Sequence, residues 1–289
     1  MTERGREIVS VPGLLRMKRE GEKIGMLTAY DYHTARILDR AGADVLLVGD
    51  SLGMVVLGYD STVYVTLEDI IHHSAAVARG TQRALLVGDL PFGSYEEGPE
   101  QALRSAVRLV REGGCTAVKI EGGFEAAPSV KKIVEAGIPV VGHVGLTPQS
   151  SASFGGFRVR AKTADEAGEL LESARALEEA GAFMVVVEAV PAPVGKVLAG
   201  HLQAPVIGIG AGSGCDGQVL VSTDMLGIQN ELTPRYLKRY AALSEEMESA
   251  TRSYLSEVKS GVFPGEEHVY GMDSGEREKL ESKNLERGE

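Results

Sequence analysis

Residues 44–50 read DVLLVGD, an apolar run rich in valine and leucine that closes on a glycine and an aspartate. Residues 84–89 repeat the pattern as ALLVGD, and residues 183–188 vary it as FMVVVE. Runs that are apolar throughout, rather than at alternate positions, are typical of strands buried on both faces of a parallel sheet. The repeated pattern therefore predicts parallel strands that end at charged residues.

Similar runs recur along the chain, and most are separated by stretches with helical spacing. The predicted strands are residues 24–28, 44–48, 84–87, 117–120, 139–144, 183–187, 205–209 and, as an eighth, 218–221. The predicted helices are residues 32–41, 67–78, 99–111, 128–135, 164–180, 193–199 and 233–259. Seven or eight strand-then-helix units favour an α/β fold of the (β/α)8 TIM-barrel type, with an open doubly wound sheet as the second choice.

The charge and the hydropathy of the chain limit its binding partners and its location in the cell. The chain has 289 residues and a net charge of −11, which argues against nucleic acid or an anionic membrane surface as its main partner. No stretch approaches the roughly 18 apolar residues of a membrane span, and the polar start lacks a signal peptide's apolar core, so we expect a cytoplasmic protein.

Cys115 and Cys215 predict two reduced thiols. We expect residues 1–272 to form a single barrel domain and residues 273–289 a polar, mobile tail.

Ionisable residues stand at the ends of five successive predicted strands. They are Asp50, Asp89, Lys119 with Glu121, His143 and Glu188. The carboxyl ends of barrel strands form the face where barrel active sites lie. Because converging carboxylates repel one another, Asp50, Asp89 and Glu121 predict a site for a hard divalent cation, Mg²⁺ before Mn²⁺ or Ca²⁺. The alternative is three separate structural roles, such as helix capping.

Three of these residues have more than one candidate role. Lys119 is two positions from Glu121, so both side chains point the same way. It could neutralise a substrate carboxylate or enolate oxygen, form a Schiff base, or only pair with acids. His143 could donate to a developing oxyanion, act as acid or base, or be structural. Glu188 closes an apolar run, which favours a general base, and the alternatives are a fourth metal contact or a partner of a metal ligand.

Two glycine-rich stretches are weaker candidates. Residues 208–217 contain one formal GxGxxG, but a strand pattern follows it, whereas a dinucleotide site needs a helix there. We therefore interpret these glycines as tight turns and close backbone approach at the barrel mouth. The connection 147–162 is rich in Ser and Gly, and it is either a binding loop or a plain surface excursion.

Several long motifs follow one another in a fixed order along the chain. They are residues 26–70, VGDLPFGSY at 87–95, AVKIEGG at 117–123, GIPVVGHVGLTPQ at 137–149, VVVEAVP at 185–191, residues 204–221 and FPGEEHVY at 263–270. In this order they resemble the ketopantoate hydroxymethyltransferase family. The resemblance covers about residues 5 to 272. The visible departure is SGCDG at 213–217, where the family often has Asn-x-x-Asp-Gly, so the local loop is expected to differ.

The resemblance implies a (β/α)8 barrel of the phosphoenolpyruvate/pyruvate type. It implies transfer of a hydroxymethyl group from 5,10-methylenetetrahydrofolate to 3-methyl-2-oxobutanoate, giving 2-dehydropantoate for pantothenate and coenzyme A biosynthesis. It also implies a homodecamer.

The resemblance also implies roles for particular residues. The positions that match the family's Mg²⁺ ligands are Asp50, Asp89 and Glu121. The positions that match its substrate-binding residues are Asp50, Ser51, Asp89 and Lys119. Its proton acceptor falls on Glu188. Apart from the resemblance, the chemistry makes His143 a candidate partner for the substrate oxygen.

Three other classes of protein stay open. One is a different metal–enolate enzyme on the same barrel, such as a lyase or an aldol-type carboligase. Another is a Schiff-base aldolase that uses Lys119. The third is a binding barrel without catalysis.

Overall fold

The computed structural model describes residues 7–149, 158–229 and 234–285. The chain divides into two compact units, Met1–Ala241 and Ala242–Glu289. This division falls inside the range 1–272 that the sequence analysis assigned to one domain, and that assignment stays a prediction.

Eight strands form a closed parallel barrel in the first unit. They are β1 (Ile24–Thr28), β2 (Val45–Val48), β3 (Leu85–Asp89), β4 (Ala117–Glu121), β5 (Val140–Gly145), β6 (Met184–Glu188), β7 (Val206–Ile209) and β8 (Gly217–Leu220). Neighbours in sequence pair in parallel, and β8 pairs with β1. The predicted (β/α)8 barrel is confirmed, and the open sheet is wrong because β8 closes onto β1.

Helices follow most of the strands. In the first unit they are α1 (Val11–Glu20), α2 (Tyr32–Ala41), α3 (Leu52–Val55), α4 (Leu67–Gly80), α5 (Pro99–Arg111), α6 (Ala127–Glu135), α7 (Ala164–Glu179), α8 (Ala192–His201) and α9 (Ser222–Met225). Local signals set their ends: Asp31 caps the start of α2 and Gly42, at φ 105°, ends it. Thr66 and Asp69 form a capping box at the start of α4.

Alternate strand residues face the inside and the outside of the barrel. Val87 on β3, Ala117 on β4 and Val141 on β5 belong to the inner core, which α1 extends with the buried Leu14. Intervening residues such as Leu86 and Val118 pack in the outer layer, beneath the helices. Because side chains two positions apart share a face, this alternation directs the side chains that end β3, β4 and β6 into the barrel.

The second unit contains α10 (Leu243–Ser260) and α11 (Ser274–Leu285). The helix predicted from residue 233 is wrong over 234–242, because the Tyr240 N–H donates to the carbonyl of Met225 (2.8 Å) instead of forming a helical bond. The tail that was expected to be mobile from residue 273 carries α11 over most of its length.

Two smaller findings concern the cysteines and the helices. Cys115 and Cys215 are both free, as predicted, and both are buried. Among the helices within the described ranges, none combines the length and the apolar character needed to cross a membrane.

Candidate metal centre and active site

Six ionisable side chains meet at the carboxyl end of the barrel. They are Asp50, Asp89, Lys119, Glu121, His143 and Glu188. Strand register sets Asp89 beside Lys119 and Glu121 beside His143. Five of the six are no more than 5% exposed, and the Glu188 side chain is 14% exposed. The structure therefore brings together the strand-end residues that the sequence singled out.

Lys119 lies among the carboxylates. Its Nζ is 2.8 Å from Asp89 Oδ1 and 3.4 Å from Glu121 Oε1. The predicted common orientation of Lys119 and Glu121 is confirmed, since both side chains enter the barrel from β4. Burial alone would lower the pKa of Lys119, but the charges of Asp89, Glu121 and Asp50 raise it well above its ordinary value. The amine is therefore protonated at neutral pH.

His143 links two acids. Its Nδ1 lies 3.2 Å from Glu121 Oε1, and its Nε2 lies 3.3 Å from Glu188 Oε2, the latter contact without hydrogen-bond geometry. Burial and the Lys119 charge act to lower the pKa of His143, but Glu121 and Glu188 raise it to about 9. The protonated ring donates from Nδ1 to Glu121, so the 3.3 Å approach of Lys119 Nζ to the same Nδ1 is then a packing contact.

The carboxylates outnumber the cations around them. Burial, and then the neighbouring Asp89 and Glu121, raise the pKa of Asp50 well above its usual range. Burial also raises the pKa of Asp89, against the pull of Lys119. Glu121 behaves differently: burial acts to raise its pKa, but Lys119 and His143 bring it down to about 2. Asp50 and Asp89 are thus the two acids of the site whose ionised forms are disfavoured in the absence of a further positive charge.

The donor set suits a divalent cation, although the ligands are not gathered around one point. Within residues 7–149, 158–229 and 234–285, no three Asp, Glu, His or Cys side chains converge as a ready metal cluster. Lys119 Nζ contacts Asp89 and Glu121 instead. Buried, oxygen-only donors with excess negative charge are nevertheless what a hard cation such as Mg²⁺ requires. The assignment of Asp50, Asp89 and Glu121 as ligands stays a prediction.

Sequence reasoning missed the uncharged partners of these acids. Gln149 is 4% exposed, and its side chain reaches Asp50 and the hydroxyl of Tyr95. Tyr30 OH lies 2.9 Å from the Oγ of Ser51, which places this candidate substrate-binding residue at the same mouth. A search for charged strand ends does not find an amide or a phenol, but Gln149 closes the GLTPQ motif and precedes the Ser/Gly-rich connection.

The backbone around Glu188 is unusual. Ala189 has φ 49°, in the left-handed region that residues other than glycine seldom adopt. Gly145 on the neighbouring strand has φ 98°, and a Cβ there would collide with the carbonyl oxygen of Glu188. Such strained or tightly approached backbone is common where a functional side chain must be held in place. Here it fixes the end of β6.

The predictions for the glycine-rich stretch 208–217 and for the connection 147–162 have different outcomes. Gly210 and Gly212 have φ values of 65° and 82°, and the strand β8 follows them. The interpretation as tight turns is confirmed, and the dinucleotide fingerprint lacks its helix. Of the connection 147–162, residues 150–157 lie outside the described part of the chain.

A closed parallel (β/α)8 barrel with a buried acidic site at its carboxyl end defines a class of barrel enzymes. The solved structure of 2,3-dimethylmalate lyase, described as a PEP mutase/isocitrate lyase superfamily member, is similar with a TM-score of 0.55. The match covers 95% of this chain and 99% of that one at 15% identity, which shows the shared fold. The (β/α)8 fold is thus shared with that structure, and the phosphoenolpyruvate/pyruvate type of the barrel stays a prediction.

Sequence comparison identifies the family within that class. The profile of the family described as ketopantoate hydroxymethyltransferase matches residues 8–266. A 3-methyl-2-oxobutanoate hydroxymethyltransferase of Heliobacterium modesticaldum is 52% identical over 265 residues, covering 92% of this chain and 96% of the relative. One from Syntrophus aciditrophicus is 55% identical over 254 residues, covering 88% and 93%. The chain belongs to the ketopantoate hydroxymethyltransferase family, and it is a transferase.

Proposed function

We propose that the protein transfers a hydroxymethyl group from 5,10-methylenetetrahydrofolate to 3-methyl-2-oxobutanoate and forms 2-dehydropantoate, a step of pantothenate biosynthesis in the cytoplasm. The observation that carries the proposal is the buried group of carboxylates, lysine and histidine at the barrel mouth. The acceptor is the substrate in the names of relatives that share about half of the sequence.

Asp50, Asp89 and Glu121 would hold Mg²⁺. Their burial and the raised pKa values of Asp50 and Asp89 mean that a nearby positive charge would stabilise their ionised forms. When bound, a divalent ion supplies positive charge that stabilises an enolate.

Lys119 and Ser51 would bind the carboxylate of the 2-oxo acid. Lys119 Nζ offers a permanent positive charge, because the surrounding acids keep it protonated. A Schiff base needs a neutral amine, so the same protonation disfavours the aldolase alternative. Ser51 Oγ, 2.9 Å from Tyr30 OH, offers a neutral hydrogen bond beside it.

Glu188 would remove the C3 proton of the oxo acid. Its side chain is more exposed than the other acids of the site, at 14%, so it is open to the mouth. His143, 3.3 Å away, is protonated at neutral pH and would stabilise the ionised base and donate toward the substrate oxygen. Water would release the methylene group as formaldehyde, with both of its bonds to nitrogen broken and each nitrogen left satisfied as in tetrahydrofolate. Carbon C3 would then add to the formaldehyde carbon, and the formaldehyde oxygen would take up a proton and become the new hydroxyl.

The test is an assay for 2-dehydropantoate after metal has been removed with a chelator. We expect product only when both Mg²⁺ and methylenetetrahydrofolate are restored. Full activity in chelator, together with borohydride trapping of substrate on Lys119, would replace the proposal with the Schiff-base mechanism. Folate-independent cleavage of a related acid would favour a lyase.

We also propose that the protein forms a homo-oligomer, a decamer by family resemblance. None of the residues of α10 is buried, and Met247, Leu255 and Val258 on it are 60%, 46% and 44% exposed. Apolar residues on a helix without a buried face are typical of a surface that another chain covers. Light scattering should give about ten times the mass of one chain, and a monomer mass would contradict the proposal.

A further inference from the structure

Gln149 is an uncharged residue that contacts the candidate metal centre through both its side chain and its backbone. Its side-chain Nε2 donates to Asp50 Oδ2 and to the carbonyl oxygen of Leu90, both at 3.0 Å. Its Oε1 accepts from Tyr95 OH at 2.6 Å. Its backbone N–H donates to Glu121 Oε2 at 3.2 Å. One residue thus contacts two of the three candidate metal ligands.

The chemistry of its partners fixes the orientation of the Gln149 amide. The carbonyl of Leu90 can only accept, so the NH₂ group must face it, and the second hydrogen of that group is directed at Asp50. The opposite side of the amide then presents its oxygen to the hydroxyl of Tyr95, which donates. A flipped amide would leave the Leu90 carbonyl without this donor and would turn its oxygen toward the carboxylate of Asp50.

We propose that Gln149 is a positioning residue that holds the carboxylates of Asp50 and Glu121 in the orientation needed for a divalent cation, and that Tyr95 acts by holding the Gln149 amide. The inference rests on the proposed metal site. It goes beyond that site, because Gln149 and Tyr95 belong to none of the ligand, substrate or base positions.

Any effect of Tyr95 on Asp50 should depend on the Gln149 amide that lies between them. The Tyr95 hydroxyl reaches Gln149 Oε1, and the amide in turn reaches Asp50. If Tyr95 acts through the amide, removing its hydroxyl matters only while the amide is present. Residues in one hydrogen-bond network show this non-additivity in double-mutant cycles.

The experiment measures Mn²⁺ binding to the full chain by electron paramagnetic resonance, with no substrate present. Partners of metal ligands typically change metal affinity about 10- to 100-fold, so we expect a loss of that size for Gln149→Ala. Tyr95→Phe should give a smaller loss in the wild-type background and none in the Gln149→Ala background. Thermal unfolding in chelator shows that each variant is folded.

Gln101→Ala is the matched control. Like Gln149, the Gln101 side chain forms hydrogen bonds with the segment after β3. Its Nε2 donates to the Gly93 carbonyl (2.8 Å), and its Oε1 accepts from the Glu97 N–H (2.9 Å). Neither bond reaches a candidate ligand, so Mn²⁺ affinity should stay at the wild-type value.

Each outcome decides a separate point. Wild-type Mn²⁺ affinity in Gln149→Ala, or an equal loss in Gln101→Ala, overturns the positioning role. If Gln149→Ala does not fold, Tyr95→Phe keeps the test, because it retains the ring and removes only the hydroxyl, and unchanged affinity there overturns the inference. Asp89→Ala tests the metal site itself. If the wild type binds Mn²⁺ no better than Asp89→Ala, the proposed site fails and this inference fails with it.

Discussion

The two ends of the barrel bury charged side chains in different surroundings. At the amino end, Lys18 Nζ donates to two backbone carbonyls at 2.9 Å and pairs with Asp216 at 2.8 Å. Asp216 also accepts the N–H of Val206 at the start of β7. At the carboxyl end, four carboxylates lie around Lys119 and His143, and the charges of Asp89 and Glu121 oppose ionisation of Asp50.

Asp39 shows how completely the amino end satisfies a buried acid. Its carboxylate accepts three consecutive backbone N–H groups just before β3, from Gln82, Arg83 and Ala84, at 3.2, 3.1 and 2.7 Å. Asp50, at the other end, accepts from Gln149 but faces two further acids. Satisfied charges favour the folded state, whereas crowded like charges oppose it unless a ligand compensates them.

This difference assigns stability to one end and function to the other. Barrel enzymes carry their active sites at the carboxyl end, and residues at the amino end serve the fold. Substitutions at the two ends should therefore change different measurements.

The largest effect is expected for Asp89→Ala. Changing a partner of a metal ligand typically costs about 10- to 100-fold, so loss of a ligand should cost more and abolish detectable Mg²⁺-dependent turnover. The variant should still be folded in chelator, because Glu121 remains 3.4 Å from Lys119 Nζ when Asp89 is removed. Wild-type activity in this variant would refute the ligand assignment.

Glu188→Gln comes next. Loss of a general base lowers kcat by about 10²- to 10⁴-fold, while Mn²⁺ affinity should stay unchanged because Glu188 is not a proposed ligand. Fixed-time activity assays give kcat, and Mn²⁺ titration of the same preparation gives the metal affinity. Reduced Mn²⁺ affinity with normal kcat would instead make Glu188 a metal contact.

Asp39→Ala probes the amino end. Three backbone donors lose their acceptor, and each unsatisfied buried group costs about 1–3 kcal/mol, so the free energy of unfolding should drop by at least about 2 kcal/mol. Denaturant unfolding measures this, with Asp39→Asn, which keeps one acceptor oxygen, as the control. The folded variant should bind Mn²⁺ with wild-type affinity. A selective loss of metal binding would contradict the assignment of stability to the amino end and function to the carboxyl end.

The smallest effect is expected at Asp31, an acid on the carboxyl side that is nevertheless satisfied. Burial acts to raise its pKa, but bonds from the Thr34 hydroxyl and N–H lower it below its ordinary value. Its stabilisation is therefore present above about pH 4 and is lost as pH falls through the lowered pKa. Asp31→Ala should cost about 1 kcal/mol at pH 7, and less in acid, while Asp31→Asn should cost little. A pH-independent difference would rule out the charge as its source.

Apolar runs and their charged ends were enough to predict the barrel and its candidate site. Residues 24–28 and 99–111 were predicted with the bounds that the structure has, because flanking residues mark their limits. The position of Asp50, Asp89 and Glu121 at one end of the barrel followed from parallel strands ending at one face. Their roles rest on family resemblance, and sequence spacing alone does not choose a substrate.

What the sequence did not reveal depends on contacts between distant segments. Helix α1 was missed, although Leu14 on it packs against the inner core from the amino end. The segment 234–242 has helical spacing but bonds to Met225 instead. Gln149 is 28 residues from Glu121 and 99 from Asp50 along the chain, and only the closed barrel brings the three together.

The most direct test of the account is an anomalous difference map from crystals of the protein soaked in MnCl₂. The account predicts one strong peak at the mouth, bonded to Asp50, Asp89 and Glu121, with Lys119 Nζ moved away from the ion. The account would be contradicted by a map with no peak at these carboxylates and Lys119 Nζ still 2.8 Å from Asp89 Oδ1.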